Sequence, residues 1–203
     1  MQTYPELLNM DALAGGFSGR TTDRVAPYAN LPHDNMTEFL TWHYNQVKNS
    51  SIIRKPGDDF VLFSMALQPI PVDLQRANSV GIPGALSIDP AGGDKLWIEY
   101  SYIWKNASTD AMREQQVRDL TTAADAHQQV QYAGIKPTKY KSGVLPFVAY
   151  NPIFANDGQA DQQIFPSYGV NTFAKLEATR WKYDPTLFFQ RRMRGFHLDL
   201  PSQ

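Results

Sequence analysis

The 203-residue chain contains no cysteine, which excludes disulfides, thiolate metal sites and a thiol nucleophile. It also lacks an excess of either charge, with 19 basic and 20 acidic residues giving a net charge of -1. No basic run interleaved with aromatics follows a phosphate backbone, so nucleic acid is not an expected partner. The one basic cluster, Arg191-Arg192-Met193-Arg194, fits a solvated tail. Apolar runs are short of the roughly 18 residues a membrane helix needs, and the first residues lack the basic-then-apolar pattern of a signal peptide. The chain therefore reads as soluble, with no membrane partner. Asn35-Met36-Thr37, Asn49-Ser50-Ser51 and Asn106-Ala107-Ser108 are acceptor-like triplets that matter only in a secreted protein. The four histidines, His33, His43, His127 and His197, share no helical ligand spacing, so no metal site is expected. A Gly-x-Ser-x-Gly elbow and a Gly-x-Gly-x-x-Gly fingerprint are also missing.

The residues that are present alternate between helical and extended patterns. Residues 1–34, with Gly15-Gly16, Gly19, Pro27 and Pro32, read as loop or linker. Asn35 and Glu38 suggest a capping box, and Met36, Phe39, Leu40, His43 and Val47 share a face, which predicts a helix over about 36–49. Phe60 to Leu67 is an apolar run suited to a strand covered on both faces and stopped by Pro69 and Pro71. Leu96 to Trp104 is rich in β-formers. Its alternation puts Trp97, Glu99, Ser101 and Ile103 on one face and Leu96, Ile98, Tyr100, Tyr102 and Trp104 on the other. A long helix follows over about 110–133, with Val117, Leu120, Ala124 and His127 inward and Gly134 and Pro137 ending it. A further strand is expected over 144–150 and a helix over 170–183. The resulting fold class is α+β, an antiparallel sheet with helices packed on one face.

The end of the chain carries an ordered series: Asn156-Asp157, Asp161-Gln162, Ser167-Tyr168-Gly169, Lys175-Leu176, Lys182-Tyr183-Asp184-Pro185, Phe189-Gln190 and Gly195-Phe196-His197-Leu198. This series resembles the C-terminal end of the FAD-linked oxidoreductases related to the berberine bridge enzymes, in particular the fungal ones of secondary metabolism. A thinner similarity runs through Ser64 to Pro71 and Leu96 to Trp104, so that the resemblance covers about residues 58–198. One departure stands out: where relatives carry a Gly-Gly-Asn-x-Leu-Gly motif, this chain has Gly81-Ile82-Pro83-Gly84-Ala85-Leu86.

The resemblance implies FAD as cofactor, a small-molecule secondary metabolite as substrate, and hydride transfer to the flavin. The flavin of that family is held by a separate domain with an Arg-x-Gly-Gly-His-like string, which is not found here; Gly15-Gly16 precedes Phe17 and Gly92-Gly93 precedes Asp94. The expected division is a loop-rich segment over 1–34, a substrate-binding α+β domain over 35–155 and a segment facing a flavin domain over 156–203. The flavin domain would then be supplied by a separate partner chain, docked on a C-terminal tail through Phe188, Phe189 and Phe196. By resemblance, Asn156, Asp157, Gln162 and Tyr168 are cofactor-facing, and Gln68 and Trp104 substrate-facing. Tyr100 and Tyr102 are either a substrate wall with one phenol acting as base or a sheet face packed under helices. Asn156-Asp157-Gly158 also reads as turn chemistry alone. A flavin-free binding or cyclase protein and a truncated nonfunctional remnant stand as the alternatives.

Overall fold

The computed structural model describes residues 19–52, 57–78, 86, 88–141, 151–192 and 198. Three strands, β1 (Arg20–Ala29), β2 (Phe60–Ile70) and β3 (Lys95–Trp104), form one antiparallel sheet in the order β1-β3-β2. Five α-helices accompany them among the described residues: α1 (His33–Asn49), α2 (Val72–Ala77), α3 (Asp110–Gln131), α4 (Val170–Tyr183) and α5 (Phe188–Arg192).

β3 lies in the middle because its sequence is suited to contacts on both faces and both edges. Tyr100 is in register with Arg24 on one side and Met65 on the other. Leu96, Ile98, Tyr100, Tyr102 and Trp104 point into a core completed by Tyr28 of β1, Met36, Phe39 and Val47 of α1, and Val117, Leu120 and Ala124 of α3. Helices α1 and α3 thus cover one face of the sheet, as the α+β expectation requires. Each large side chain buried there contributes about 1.5–3 kcal/mol. His127 is only half-buried, stacked on Trp42 with ring centroids 3.7 Å apart.

Three sequence expectations need correction. The segment read as loop contains β1; Pro27, Asp23 and Arg24 hid its alternation, yet an edge strand tolerates proline because one of its N–H rows is unpaired. Helix α1 begins at His33 with Pro32 before it and no side-chain cap, so Asn35 sits inside the first turn. β2 is an edge strand, not one covered on both faces: Ser64 and Ala66 are exposed, and pairing with β3 continues through Pro69 to Ile70. The strand expected over 144–150 lies outside the described residues.

Side chains close the free edge of β1. Gln128 of α3 accepts the Ala29 N–H at 2.9 Å and donates to the Ala29 carbonyl at 3.1 Å, while Gln162 donates to the Val25 carbonyl at 2.8 Å. An uncovered edge would offer these groups to another chain. At the opposite end of α3, buried Arg113 pairs with Asp58 and Asp59 and donates to the Tyr102 hydroxyl, tying the start of β2 to the helix. Burial pushes the Asp59 carboxyl up, but hydrogen bonds from Thr109, Arg113 and the Asn106 amide outweigh this and hold it well below the usual carboxylate range.

Removing Arg113 leaves two carboxylates without their partner. Arg113→Ala is expected to lower the unfolding free energy by about 3–5 kcal/mol, the cost of breaking a buried pair from one side. Urea denaturation at pH 7 measures it, and a loss below about 1 kcal/mol would contradict this role.

Candidate functional site

The face of the sheet turned away from α1 and α3 carries the chemistry-bearing side chains. Alternation on β3 places Trp97, Glu99 and Ser101 there, and register brings Asp23 and Val25 of β1 and Gln68 and Ile70 of β2 alongside. The segment from Pro152 to Tyr168 passes over part of this face. It is fastened by the Trp97 indole N–H donating to the Pro152 carbonyl at 2.7 Å and by Phe154 stacked on Trp97, with centroids 4.8 Å apart. Val25, Trp97 and Ile88 form a second apolar cluster with Ile164 and Tyr168 of this segment.

Between α2 and this segment lies a cavity of about 280 Å³ whose walls include Ile70, Leu86, Trp97, Phe154, Asn156 and Tyr168. Apolar and aromatic walls with few polar groups are usual for a small-molecule site. Next to Trp97 along β3, Glu99 is set among other polar groups. Gln68 Nε2 stands 3.5 Å from one carboxyl oxygen, Ser101 Oγ 3.3 Å from the other, and Ser101 donates to Asp23 at 2.7 Å. Burial raises the Glu99 pKa first, and the charges of Asp157 and Asp23 raise it further. Asp157 is likewise raised, by burial and then by Asp23. A carboxyl raised in this way beside an apolar wall is suited to taking and returning protons.

The structure separates the residues singled out by sequence. Tyr100 and Tyr102, both 0 % exposed, lie on the helix-covered face. The Tyr100 hydroxyl is 2.8 Å from His43 Nε2 and 3.2 Å from the Tyr28 hydroxyl, and burial raises its pKa well above that of a free phenol. Burial also raises Tyr102, although Arg113 works against it. His43 is pushed down to about 4 by burial, which leaves it neutral, with Nε2 hydrogen-bonded to the Tyr100 hydroxyl. Neither phenol has access to a substrate on the open face, so of the two readings the placement is that of a sheet packed under helices. Trp104, 1 % exposed, is on the same closed side with its indole N–H on Asp110 at 2.9 Å, and it lines no part of the open face.

Gln68 and Asp157 lie with Glu99 on the open face, and Asn156 and Tyr168 line the cavity beside it. Gln162 is used internally, donating to Val25 and accepting the Gln159 N–H at 2.9 Å. Three residues of this face were not singled out from sequence: Trp97, Glu99 and Asp23. A carboxylate within an otherwise apolar strand was the available signal for Glu99. Asp23 had none once its segment read as loop.

Holding the phosphates of FAD calls for glycines that let the backbone approach them closely. Gly93 has a φ of 80°, and a Cβ there would meet the Thr138 carbonyl at 2.8 Å, so this glycine serves close packing against residues 137–140. Gly15-Gly16 lies outside the described residues. Among the described residues no glycine-rich loop leads from a strand into a helix to hold a pyrophosphate, and the residues present do not fit that part of the cofactor. No group of three or more potential metal ligands occurs among them either.

The chain is similar to several fungal proteins. An uncharacterized FAD-linked oxidoreductase of Arthroderma benhamiae is 30% identical over 179 residues, covering 88% of this chain and 33% of that protein. A bifunctional solanapyrone synthase of Alternaria solani is 30% identical over 129 residues, 64% of this chain and 22% of that protein. An FAD-dependent monooxygenase of Arthrobotrys oligospora is 28% identical over 119 residues, 59% of this chain and 19% of that protein. The chain thus spans a third or less of the length of these relatives. No family model and no solved structure matches it. The similarities support a relationship to FAD-linked oxidoreductases.

The raised Glu99 carboxyl makes stability depend on pH. A carboxyl whose folded pKa lies above its unfolded value favours folding fully below the unfolded value, about 4.3, and loses that contribution as pH rises through the folded value. Glu99→Gln is therefore expected to unfold at higher denaturant than the wild type at pH 7, with the gap closing below about pH 4. Paired urea titrations at the two pH values measure this; a gap that widens on acidification would contradict it.

Proposed function

We propose that this chain is the substrate-facing part of an FAD-linked oxidoreductase that oxidises an alcohol or an activated C–H bond of a small secondary metabolite. The observation that carries the reading is the placement of Glu99, a half-buried carboxyl on the sheet face away from the helices, two residues along β3 from Trp97 and its stacked partner Phe154. Similarity to a synthase named for one small product, and to proteins named FAD-linked and FAD-dependent, supports both substrate size and reaction class.

In this reading the substrate occupies the cavity edged by Trp97, Phe154 and Tyr168, with its reacting carbon toward Glu99 on the neighbouring sheet face. Glu99, as carboxylate, accepts the hydroxyl proton. Oxidation to the carbonyl also removes a hydride, which an FAD held outside the described residues accepts in our proposal. The described residues do not fit its pyrophosphate, and no geometry is assigned to it. Asn156 and Asp157 border the substrate position. Trp181, Tyr183, Phe188 and Phe189 are more than half exposed on the C-terminal helices, which supports docking of a flavin domain there, on this chain or a partner. Phe196 lies outside the described residues.

Reconstitution tests the proposal. The chain is combined with FAD and secondary aromatic alcohols, alone and together with the part of the Arthroderma benhamiae relative that it does not match. Oxygen consumption is expected only in the combined mixture, and Glu99→Gln is expected to slow it by about 10²–10⁴-fold, the usual contribution of general acid–base catalysis. Turnover by the chain and FAD alone, or full activity of the Gln variant, would overturn it.

A further inference from the structure

The proton-exchanging role of Glu99 is the reading on which this inference rests. Ser101 Oγ lies 2.7 Å from Asp23 Oδ1 and 3.3 Å from Glu99 Oε1. A serine hydroxyl has one hydrogen and two lone pairs, so it donates to one of these carboxyl groups and not to both. A hydroxyl donating to a carboxylate sits at about 2.5–2.7 Å, which matches the Asp23 contact, whereas the Glu99 contact is long for such a bond. Ser101 therefore donates its hydrogen to Asp23, and lone pairs of Ser101 Oγ are left toward Glu99. That arrangement complements a carboxylic acid, whose O–H can donate to Ser101, better than a carboxylate.

We propose that Asp23 is a positioning residue for Glu99: by holding the Ser101 hydrogen from the neighbouring strand, it presents an acceptor to Glu99 and makes that carboxyl a stronger base toward substrate. Asp23 and Ser101 are register partners in the β1–β3 ladder, so backbone pairing itself sets the orientation. The other groups facing Glu99 are few among the described residues. Gln68 of β2 approaches the second carboxyl oxygen at 3.5 Å, at the limit of a hydrogen bond, and favours the carboxylate only weakly. Asp157, from the turn over the face, acts in the same direction as Asp23 by its charge. Asp23 thus acts twice, through its charge and through the hydroxyl it orients.

Two substitutions separate these effects. Asp23→Asn and Asp23→Ala both delete the charge. The Asn carbonyl keeps an acceptor for the Ser101 hydrogen, whereas Ala frees the hydroxyl to donate to Glu99. Titration of the Glu99 carboxyl carbon by NMR in the whole chain reads the result. Asp23→Ala is expected to lower the Glu99 midpoint by about one pH unit more than Asp23→Asn does, as a donated hydrogen bond favours the charged form. With Ser101→Ala added, the two substitutions are expected to give the same midpoint. Equal midpoints with Ser101 present, or a difference that survives Ser101→Ala, would overturn the proposal. Asp23 is exposed and Ser101 half-buried, so these variants keep the fold. Full activity of Glu99→Gln would reject the catalytic reading of Glu99 separately, since it leaves these midpoints unchanged.

Discussion

The pairing of β3 between β1 and β2 is the constraint from which the rest of the molecule follows. With both edges bonded in a fixed register, β3 cannot slip by one residue without turning Tyr100, Tyr102 and Trp104 out of the core and Glu99 into it. The helix side resists such a slip through the aromatic core that α1 and α3 close and through Arg113, which holds the Tyr102 hydroxyl and the acidic pair before β2. Strand alternation thereby divides labour within ten residues: even positions build the helix-covered core, and of the odd positions Glu99, Ser101 and Ile103 stay partly exposed on the other face.

That division explains why the phenols and the carboxyl fare differently. Tyr100 and Tyr102 are rich in polar potential, but burial spends it on fixing neighbours, with Tyr100 bonded to His43 and Tyr28. Glu99 is only partly withdrawn from water, close enough to Asp23 and Asp157 to bind its proton more strongly, and next to an aromatic wall. Residues 156–168 link the edge of β1 to the open face. Gln159 and Gln162 attach this segment to β1 through Thr22 and Val25, and the same attachment holds Phe154 and Tyr168 against the open face.

Much of this was legible in the sequence, and the parts that were not have physical causes. Helix 170–183 and strand 95–104 follow directly from periodicity, because both carry unbroken patterns of one period. β1 escaped because an edge strand leaves one row of N–H groups unpaired and so can carry Pro27, while Arg24 and Asp23 break up its apolar pattern. With β1 unread, its partners were unread as well: Asp23 beside Ser101, and the internal use of Gln162. Alternation on β3 correctly separated Glu99 from Tyr100, yet it could not say which face the helices cover. That depends on α1 and α3, whose apolar stripes meet the even-numbered face only in the folded chain. The resemblance to flavin oxidoreductases is supported by the fungal relatives, while the assignment of individual residues to roles needed the geometry.

The central claim is that the open face, and not the helix-covered one, receives the substrate. Trp97 and Trp104 are on opposite faces of the same strand, each with its indole N–H in a defined hydrogen bond. Titrating 2-naphthol into the isotopically labelled chain and following the two assigned indole N–H signals by NMR compares the faces within one sample. The account predicts a saturable shift of the Trp97 signal with the Trp104 signal stationary. A saturable shift of Trp104 with Trp97 unmoved would contradict it.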